Sequence, residues 1–190
     1  EVDTIRPTVA AFTMSDTALI SGETSTVTLQ FSEAVASFSS DDDITVQNGS
    51  LATMTSSDNI TWTGTFTPTS DVEDATNVLT LATTYTDTAG NAPASTSTTA
   101  NYEIDTIAPT MTITSSTVDD GSTSNDPAIT LIFTSSEATT DFTESDITVN
   151  NGSMSNFASV SSTVYTVIFT PSSNGATTVD VAANKFTDPA

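Results

Sequence analysis

Carboxylates are the side chains in this chain best placed to do chemistry. The 190 residues include 24 Asp and Glu against two cations, Arg6 and Lys185, and the formal net charge is −22. There is no His and no Cys. That removes the imidazole base, the thiolate nucleophile, the disulfide, and the ligands that zinc and the redox metals prefer. A Ser or Thr nucleophile would lack its activating base. Paired carboxylates suit glycoside hydrolysis, but pairs arise by chance in a chain this acidic, and no glycine-rich phosphate loop is present. No enzyme is expected. What such oxygens hold well is a hard cation such as calcium, which takes roughly six to eight of them.

The acids whose positions repeat are the candidates. Asp105 opens Asp105-Thr106-Ile107-Ala108-Pro109-Thr110, and Asp3 opens the near-copy Asp3-Thr4-Ile5-Arg6-Pro7-Thr8, 102 residues earlier. Proline has no N–H for a sheet ladder and drives the residue before it to an extended shape, so each copy reads as a stiff joint feeding the first strand of a domain. Glu33 follows a strand pattern, and Asp87 sits in the tight loop Asp87-Thr88-Ala89-Gly90-Asn91. Successive loops of a sandwich alternate between its ends. Glu33, Asp87 and Asn91 are therefore expected at the pole where Asp3 enters, and the second copy offers Glu137, Asp188 and Asp105. The opposite pole of the first copy presents Asp71, Glu73 and Asp74 to the same joint. The expected calcium ligands are thus Asp105, Glu137 and Asp188 with one or more of Asp71, Glu73 and Asp74 at one joint, and Asp3, Glu33 and Asp87 at the other. The competing reading is that surface acids are usually solvated, that Asp87 closes an Asx turn and that Asp105 caps a linker turn. Adaptation to a saline habitat accounts for the overall charge equally well.

The elements that must position these residues are strands. Hydrophobic residues make up 36%, arranged in short runs that alternate with Thr and Ser, and no stretch carries a sustained helical face. Strands are expected over 8–14, 24–32, 44–46, 51–55, 60–66, 78–85 and 95–104, with turns at Ser21-Gly22-Glu23 and Asn48-Gly49 and an acidic loop over 69–76. About seven strands in about 100 residues make an immunoglobulin-like sandwich. The pattern then recurs. Ile129, Leu131 and Phe133 read as copies of Val27, Leu29 and Phe31; Asp146-Ile147-Thr148-Val149 copies Asp43-Ile44-Thr45-Val46; Phe169-Thr170-Pro171 copies Phe66-Thr67-Pro68; and Phe186-Thr187-Asp188 copies Tyr85-Thr86-Asp87. The fold class is all-β, two tandem immunoglobulin-like sandwiches end to end, over 1–104 and 105–190. In the second copy Ser172-Ser173-Asn174-Gly175 replaces the acidic loop, and its last strand is expected to be missing or supplied by residues outside this sequence. Trp62 and the Phe residues fall at alternating strand positions, which points to core packing rather than a sugar platform. The abundant Thr is first a β-propensity feature, with a flat ice-binding array as a remote alternative.

Several of these motifs together, namely Asp105-Thr106-Ile107-Ala108-Pro109, Phe31-Ser32-Glu33, Asp43-Ile44-Thr45-Val46 with Asn48-Gly49, and Asp87-Thr88-Ala89-Gly90-Asn91, carry a resemblance. Both repeats resemble the bacterial immunoglobulin-like domains found in tandem in very large surface adhesins of the repeat-in-toxin kind. The resemblance covers essentially the whole chain and implies an extracellular, cell-adhesive, biofilm-type stalk at the bacterial surface, whose interdomain joints bind calcium in many members. The leading expectation is a structural spacer; the alternative is a module that binds a glycan or protein through its loops. Expected partners are neighbouring repeats of the same chain, calcium, and a surface glycan or protein gripped by other parts of the parent, with the chain itself a monomer. Nucleic acid and anionic membrane surfaces are excluded by the charge. No signal peptide or apolar span is evident.

Overall fold

The computed structural model describes residues 2–189, and these fall into two compact units, one ending at Ile107 and one spanning Ala108–Pro189. In the first, the seven residues Ser-Thr-Val-Thr-Leu-Gln-Phe form β3 (Ser25–Phe31), and the period-two pattern buries every second side chain, from Ser25 and Val27 to Leu29 and Phe31. It is flanked antiparallel by β1 (Val9–Met14) and β6 (Thr61–Pro68), and β5 (Gly49–Leu51) adds to β6, giving the order β1-β3-β6-β5. Facing this sheet, β10 (Tyr102–Asp105) lies between β2 (Ala18–Ile20), to which it runs parallel, and β7 (Glu73–Asn77), to which it runs antiparallel. A smaller sheet joins β4 (Ile44–Thr45), β8 (Thr80–Leu81) and β9 (Ser97–Thr98). Between the layers lie Leu19, Val27, Leu29, Phe66, Leu79, Leu81, Tyr102 and Ile104, all at most 1% exposed.

Ten short strands thus replace the seven expected from the residue pattern. The runs at 78–85 and 95–104 hold their ladder over only a few residues each. The acidic segment over 69–76 contains β7 rather than a free loop, and β2 is too short to show an alternation. One close approach is decided by a single glycine. A Cβ on Gly49 would come within 3.0 Å of the Phe66 ring and 2.7 Å from the Thr67 carbonyl oxygen, so β5 can lie this near the core only without a side chain.

The second unit builds the same four-stranded sheet from β11 (Met111–Ser115), β12 (Ile129–Ser135), β14 (Gly152–Ser159) and β15 (Val164–Pro171), in the order β11-β12-β15-β14. A two-stranded sheet pairs β13 (Ile147–Asn150) with β16 (Thr178–Val181). Gly152 lies on Phe169 as Gly49 lies on Phe66. Cross-strand register corrects one correspondence drawn from the sequence. Phe66 opposes Ser25, and Phe169 opposes Ile129. Ile129, Leu131 and Phe133 therefore match Ser25, Val27 and Leu29, two residues earlier than Val27, Leu29 and Phe31. The spacing agrees, since Leu29 to Glu33 and Phe133 to Glu137 are both four residues, and the two extra residues of the second copy lie between β11 and β12. In consequence the place of Phe31 is taken by Ser135, 4% exposed, whose hydroxyl has no hydrogen-bond partner. The aromatic core re-centres on Phe142, which has the rings of Phe133, Phe157, Tyr165 and Phe186 within 5.8 Å of its own. Among the described residues the second unit has no strand in the place of β2, β7, β9 or β10.

Candidate metal centre

At one pole of the first unit three segments converge. The incoming chain brings Asp3, the turn after β3 brings Glu33, and the loop Asp87–Asn91 brings Asp87, with one carboxylate oxygen from each lying within 4.8 Å of the others. Local bonds hold each contributor. Buried Pro7 and the pair Ser32 N–H to Thr8 O (2.8 Å) and Thr8 N–H to Ser32 Oγ (3.0 Å) dock the entering segment beside β3. The Ile5 N–H donates to Asp3 Oδ1 at 2.9 Å. Asp87, only 1% exposed, accepts from the N–H groups of Ala89 (2.8 Å) and Asn91 (2.9 Å) through Oδ1 and from Asn91 Nδ2 (2.8 Å) through Oδ2. The same Asn91 amide reaches the Asp3 carbonyl at 3.3 Å, so one side chain ties the linker to the loop.

The charges in this cluster oppose one another. Partial burial, with the neighbouring charges of Asp3 and Asp87 added, pushes the Glu33 carboxyl above the usual glutamate range. Burial also pushes Asp87 upward, but the bonds from the Asn91 side chain and from the Asn91, Ala89 and Gly90 N–H groups outweigh it and hold that carboxyl below the usual aspartate range. One acid is therefore fixed as an anion by donors, and another is strained by the anions beside it. The spacing suits a hard cation. Calcium–oxygen distances of about 2.4 Å place opposite ligands about 4.8 Å apart, and the three oxygens lie within that span. Asp87 Oδ2 accepts from Asn91 Nδ2, which leaves a lone pair for a metal.

In the second unit Glu137 and Asp188, both half-buried, bring carboxylate oxygens within 4.8 Å of each other. Asp105, the counterpart of Asp3, closes β10 of the first unit, half-buried, and accepts from the Ile107 N–H at 3.2 Å. Thr106 is fastened to the same unit. Its N–H donates to Val72 O (2.8 Å), its hydroxyl to Thr69 O (2.8 Å), and it accepts from the Val72 N–H (2.9 Å). For this reason the packing boundary falls after Ile107 and past Asp105. The three acids before it part company. Glu73 lies directly across from Asp105 in the β7–β10 pair, a like-charge apposition that costs stability unless neutralised. Asp74 accepts from Asn48 Nδ2 (2.8 Å) and from the Thr76 N–H (2.9 Å), a structural use of its carboxylate. Asp71 is exposed and occupies a left-handed turn, φ 57°.

Asn91 lies at the pole where the sequence placed it, with its bond to the Asp3 carbonyl the new feature. One supporting residue carried no sequence signal of its own. Asp141 accepts from the Thr187 N–H (2.9 Å) and hydroxyl (2.9 Å) and from the Thr139 hydroxyl (2.8 Å), and so positions the residue next to Asp188. The Thr187 N–H, with the other donors, holds the Asp141 carboxyl below the usual range. In the first unit Ser37 does this for Thr86, accepting its N–H at 3.0 Å. A serine in one copy and an aspartate in the other share no pattern that spacing alone could reveal. A family model for a bacterial Ig-like domain matches the chain twice, over residues 3–104 and 105–190. Comparison with curated protein sequences gives no match.

Proposed function

Because the chain belongs to the bacterial Ig-like domain family, whose domains usually occur in surface or extracellular proteins, we propose that it is a spacer of a bacterial cell-surface adhesin and that calcium at its linkers sets the orientation of successive repeats. The observation that carries this reading is the convergence of Asp3, Glu33 and Asp87 on one pole, with the charged form of Glu33 disfavoured by burial and then by the other two. A cation there joins linker, strand turn and loop, and relieves that strain. Repetition extends the reading to Asp105, Glu137 and Asp188, with Glu73 beside Asp105 as a further ligand. No helix of the described residues is long and apolar enough to cross a membrane. A ligand-binding module would draw on the difference between segment 69–76 and Ser172-Ser173-Asn174-Gly175 of the second copy, but in the first unit Glu73–Asn77 of that segment pairs as β7, which gives the difference a structural role.

The test is scattering and melting of the chain in calcium, in chelator, and in sodium chloride of matched ionic strength, repeated on Asp105→Ala. Calcium is expected to raise the melting temperature and narrow the range of interdomain shapes, and Asp105→Ala to weaken the second effect. A metal in 100-fold excess over its Kd stabilises by about 2.7 kcal/mol. If sodium chloride reproduces the calcium result, the acids are a solvated, screened surface and the proposal fails.

A further inference from the structure

Arg6 and Lys185 are the only Arg and Lys of the chain, so a protease directed at basic residues has two peptide bonds to address. The bond after Arg6 leads into Pro7, which is buried. A proline after the bond has no N–H for an enzyme to hold, and its ring obstructs approach to the carbonyl. That leaves Lys185–Phe186. Lys185 is exposed in the loop after β16, directly behind the left-handed Asn184 at φ 60°. The residue after the bond is held in the core. Phe186 is 8% exposed, and its ring meets Phe142 edge-on at 5.4 Å. Thr187 is clamped by Asp141, which accepts its N–H and its hydroxyl at 2.9 Å each. The first unit has no such bond. By the correspondence of Phe186 with Tyr85, Lys185 stands where Thr84 donates its hydroxyl to buried Asp43.

We propose that Lys185–Phe186 is a latent processing site for a serine protease whose specificity pocket carries a carboxylate for Lys or Arg, and that Phe186 and Thr187 are its latch. Such an enzyme takes its substrate as an extended strand, held by main-chain bonds on both sides of the cut. A left-handed Asn184 and a Phe186 inside the core both break that conformation. The loop must open before it is cut, with Phe186 leaving the Phe142 ring and Thr187 leaving Asp141. The enzyme's serine oxygen then adds to the Lys185 carbonyl carbon, the C–N bond breaks, and Phe186 departs as a free amine with the proton taken from the serine. Water hydrolyses the resulting ester and leaves a carboxylate on Lys185. The cut detaches the segment that carries Phe186 and Asp188, and the approach of Asp188 to Glu137 is lost with it. The latch consists of the ring contact and the Asp141 clamp and needs no metal.

The experiment incubates the full chain with trypsin in the presence of chelator, so that no bound cation adds to the latch, and follows the products by intact mass. One cut is expected, giving a fragment of residues 1–185, while Arg6–Pro7 stays whole. The rate should rise in proportion to trypsin, as it does when opening and closing are fast relative to cleavage. The same bond in a synthetic peptide of residues 181–189, Val-Ala-Ala-Asn-Lys-Phe-Thr-Asp-Pro, should be cut at least about a hundredfold faster, because the peptide has no latch to open. Lys185→Gln in the chain should abolish the cut. Asp141→Ala should speed it at least about tenfold through the loss of hydrogen bonds to a charged acceptor, with slow hydrogen exchange in β15 showing that the unit is still folded. Should that variant unfold the unit, the comparison of chain with peptide still decides. No cut at Lys185 at any trypsin concentration, a chain cut as fast as the peptide, or a folded Asp141→Ala variant cut at the unmodified rate would each overturn the proposal. The first removes the site, the second the latch, and the third its anchor.

Discussion

Replacing Gly49 and Gly152 by Ala, one at a time, asks the two units the same question. Each new methyl would lie within 3.0 Å of a phenylalanine ring, and 2.7 Å from the Thr67 carbonyl oxygen in the first unit or 2.9 Å from that of Thr170 in the second. Alanine in a strand gains about 0.5–1 kcal/mol over glycine through the unfolded chain. Overpacking costs about 1–3 kcal/mol, less where a neighbour can yield. Phe66 cannot yield, because it is fully buried with Tyr102 against its ring. Phe169, at 2% exposed, is nearly as buried, but it borders a groove shared with Ile113, Leu131 and Val179 and among the described residues has no ring in the place of Tyr102, so it has more room to shift. Gly49→Ala should therefore destabilise the first unit by about 2 kcal/mol, the upper end of the overpacking cost less the glycine term, and Gly152→Ala the second by about 1 kcal/mol or less. Trp62, the sole tryptophan of the chain, reports on the first unit during denaturant unfolding, and hydrogen exchange in β15 reports on the second. Equal losses in the two units, to within about 0.5 kcal/mol, would refute the claim that the Phe169 ring has somewhere to go. A neutral Gly49→Ala would refute the close-packing argument altogether.

Phe142→Ala removes the ring at the centre of the second core and should cost about 3–5 kcal/mol, unfolding that unit while Trp62 fluorescence stays native. Glu33 has its folded pKa raised above the usual 4.5, so its stabilising influence is present below that value and is lost as pH rises through the raised one. Glu33→Gln should accordingly raise the melting temperature of the calcium-free protein at pH 7, and the gain should vanish under acid; with calcium bound the same change should lower it. Asp87 behaves oppositely. Its pKa is depressed from 3.8, so its contribution is present above that pH and disappears as pH falls through the lower folded value, a titration that carbon-detected NMR of the Asp87 carboxyl would follow. Asp141→Ala should speed hydrogen exchange at Thr187 without altering exchange in β12, and unchanged exchange at Thr187 would remove Asp141 as its anchor.

The parts of the fold that depend on one chain segment at a time were legible in the residues. The alternation Val27-Thr28-Leu29-Gln30-Phe31, the turn at Asn48-Gly49 and the repeated Asp-Thr-Ile-x-Pro joint each act locally, and loop alternation was enough to place Asp3, Glu33 and Asp87 together. What depended on pairing partners was hidden. β2 and β7 exist because β10 lies between them, and neither Ala-Leu-Ile nor Glu-Asp-Ala-Thr-Asn has a period of its own. The shift of Ile129, Leu131 and Phe133 could be read only from their cross-strand partners, since two extra residues before the strand let the apolar alternation be matched one pair out of step. The fate of Asp74 was likewise invisible, because its donor Asn48 lies 26 residues away.

The fastening of Asp105 and Thr106 to the first unit has a consequence for a chain under tension. Force travelling along the polypeptide reaches this unit first at Thr106, whose three bonds to Val72 and Thr69 must rupture before the pull passes inward. Beyond them lies β10, flanked on both edges by β2 and β7. Its ladder bonds run across the strand axis, so an axial pull strains those on both sides together instead of peeling them one after another. The linker is thereby anchored to a strand gripped from two sides and loaded in shear, and the joint can be stretched without the strand behind it slipping free.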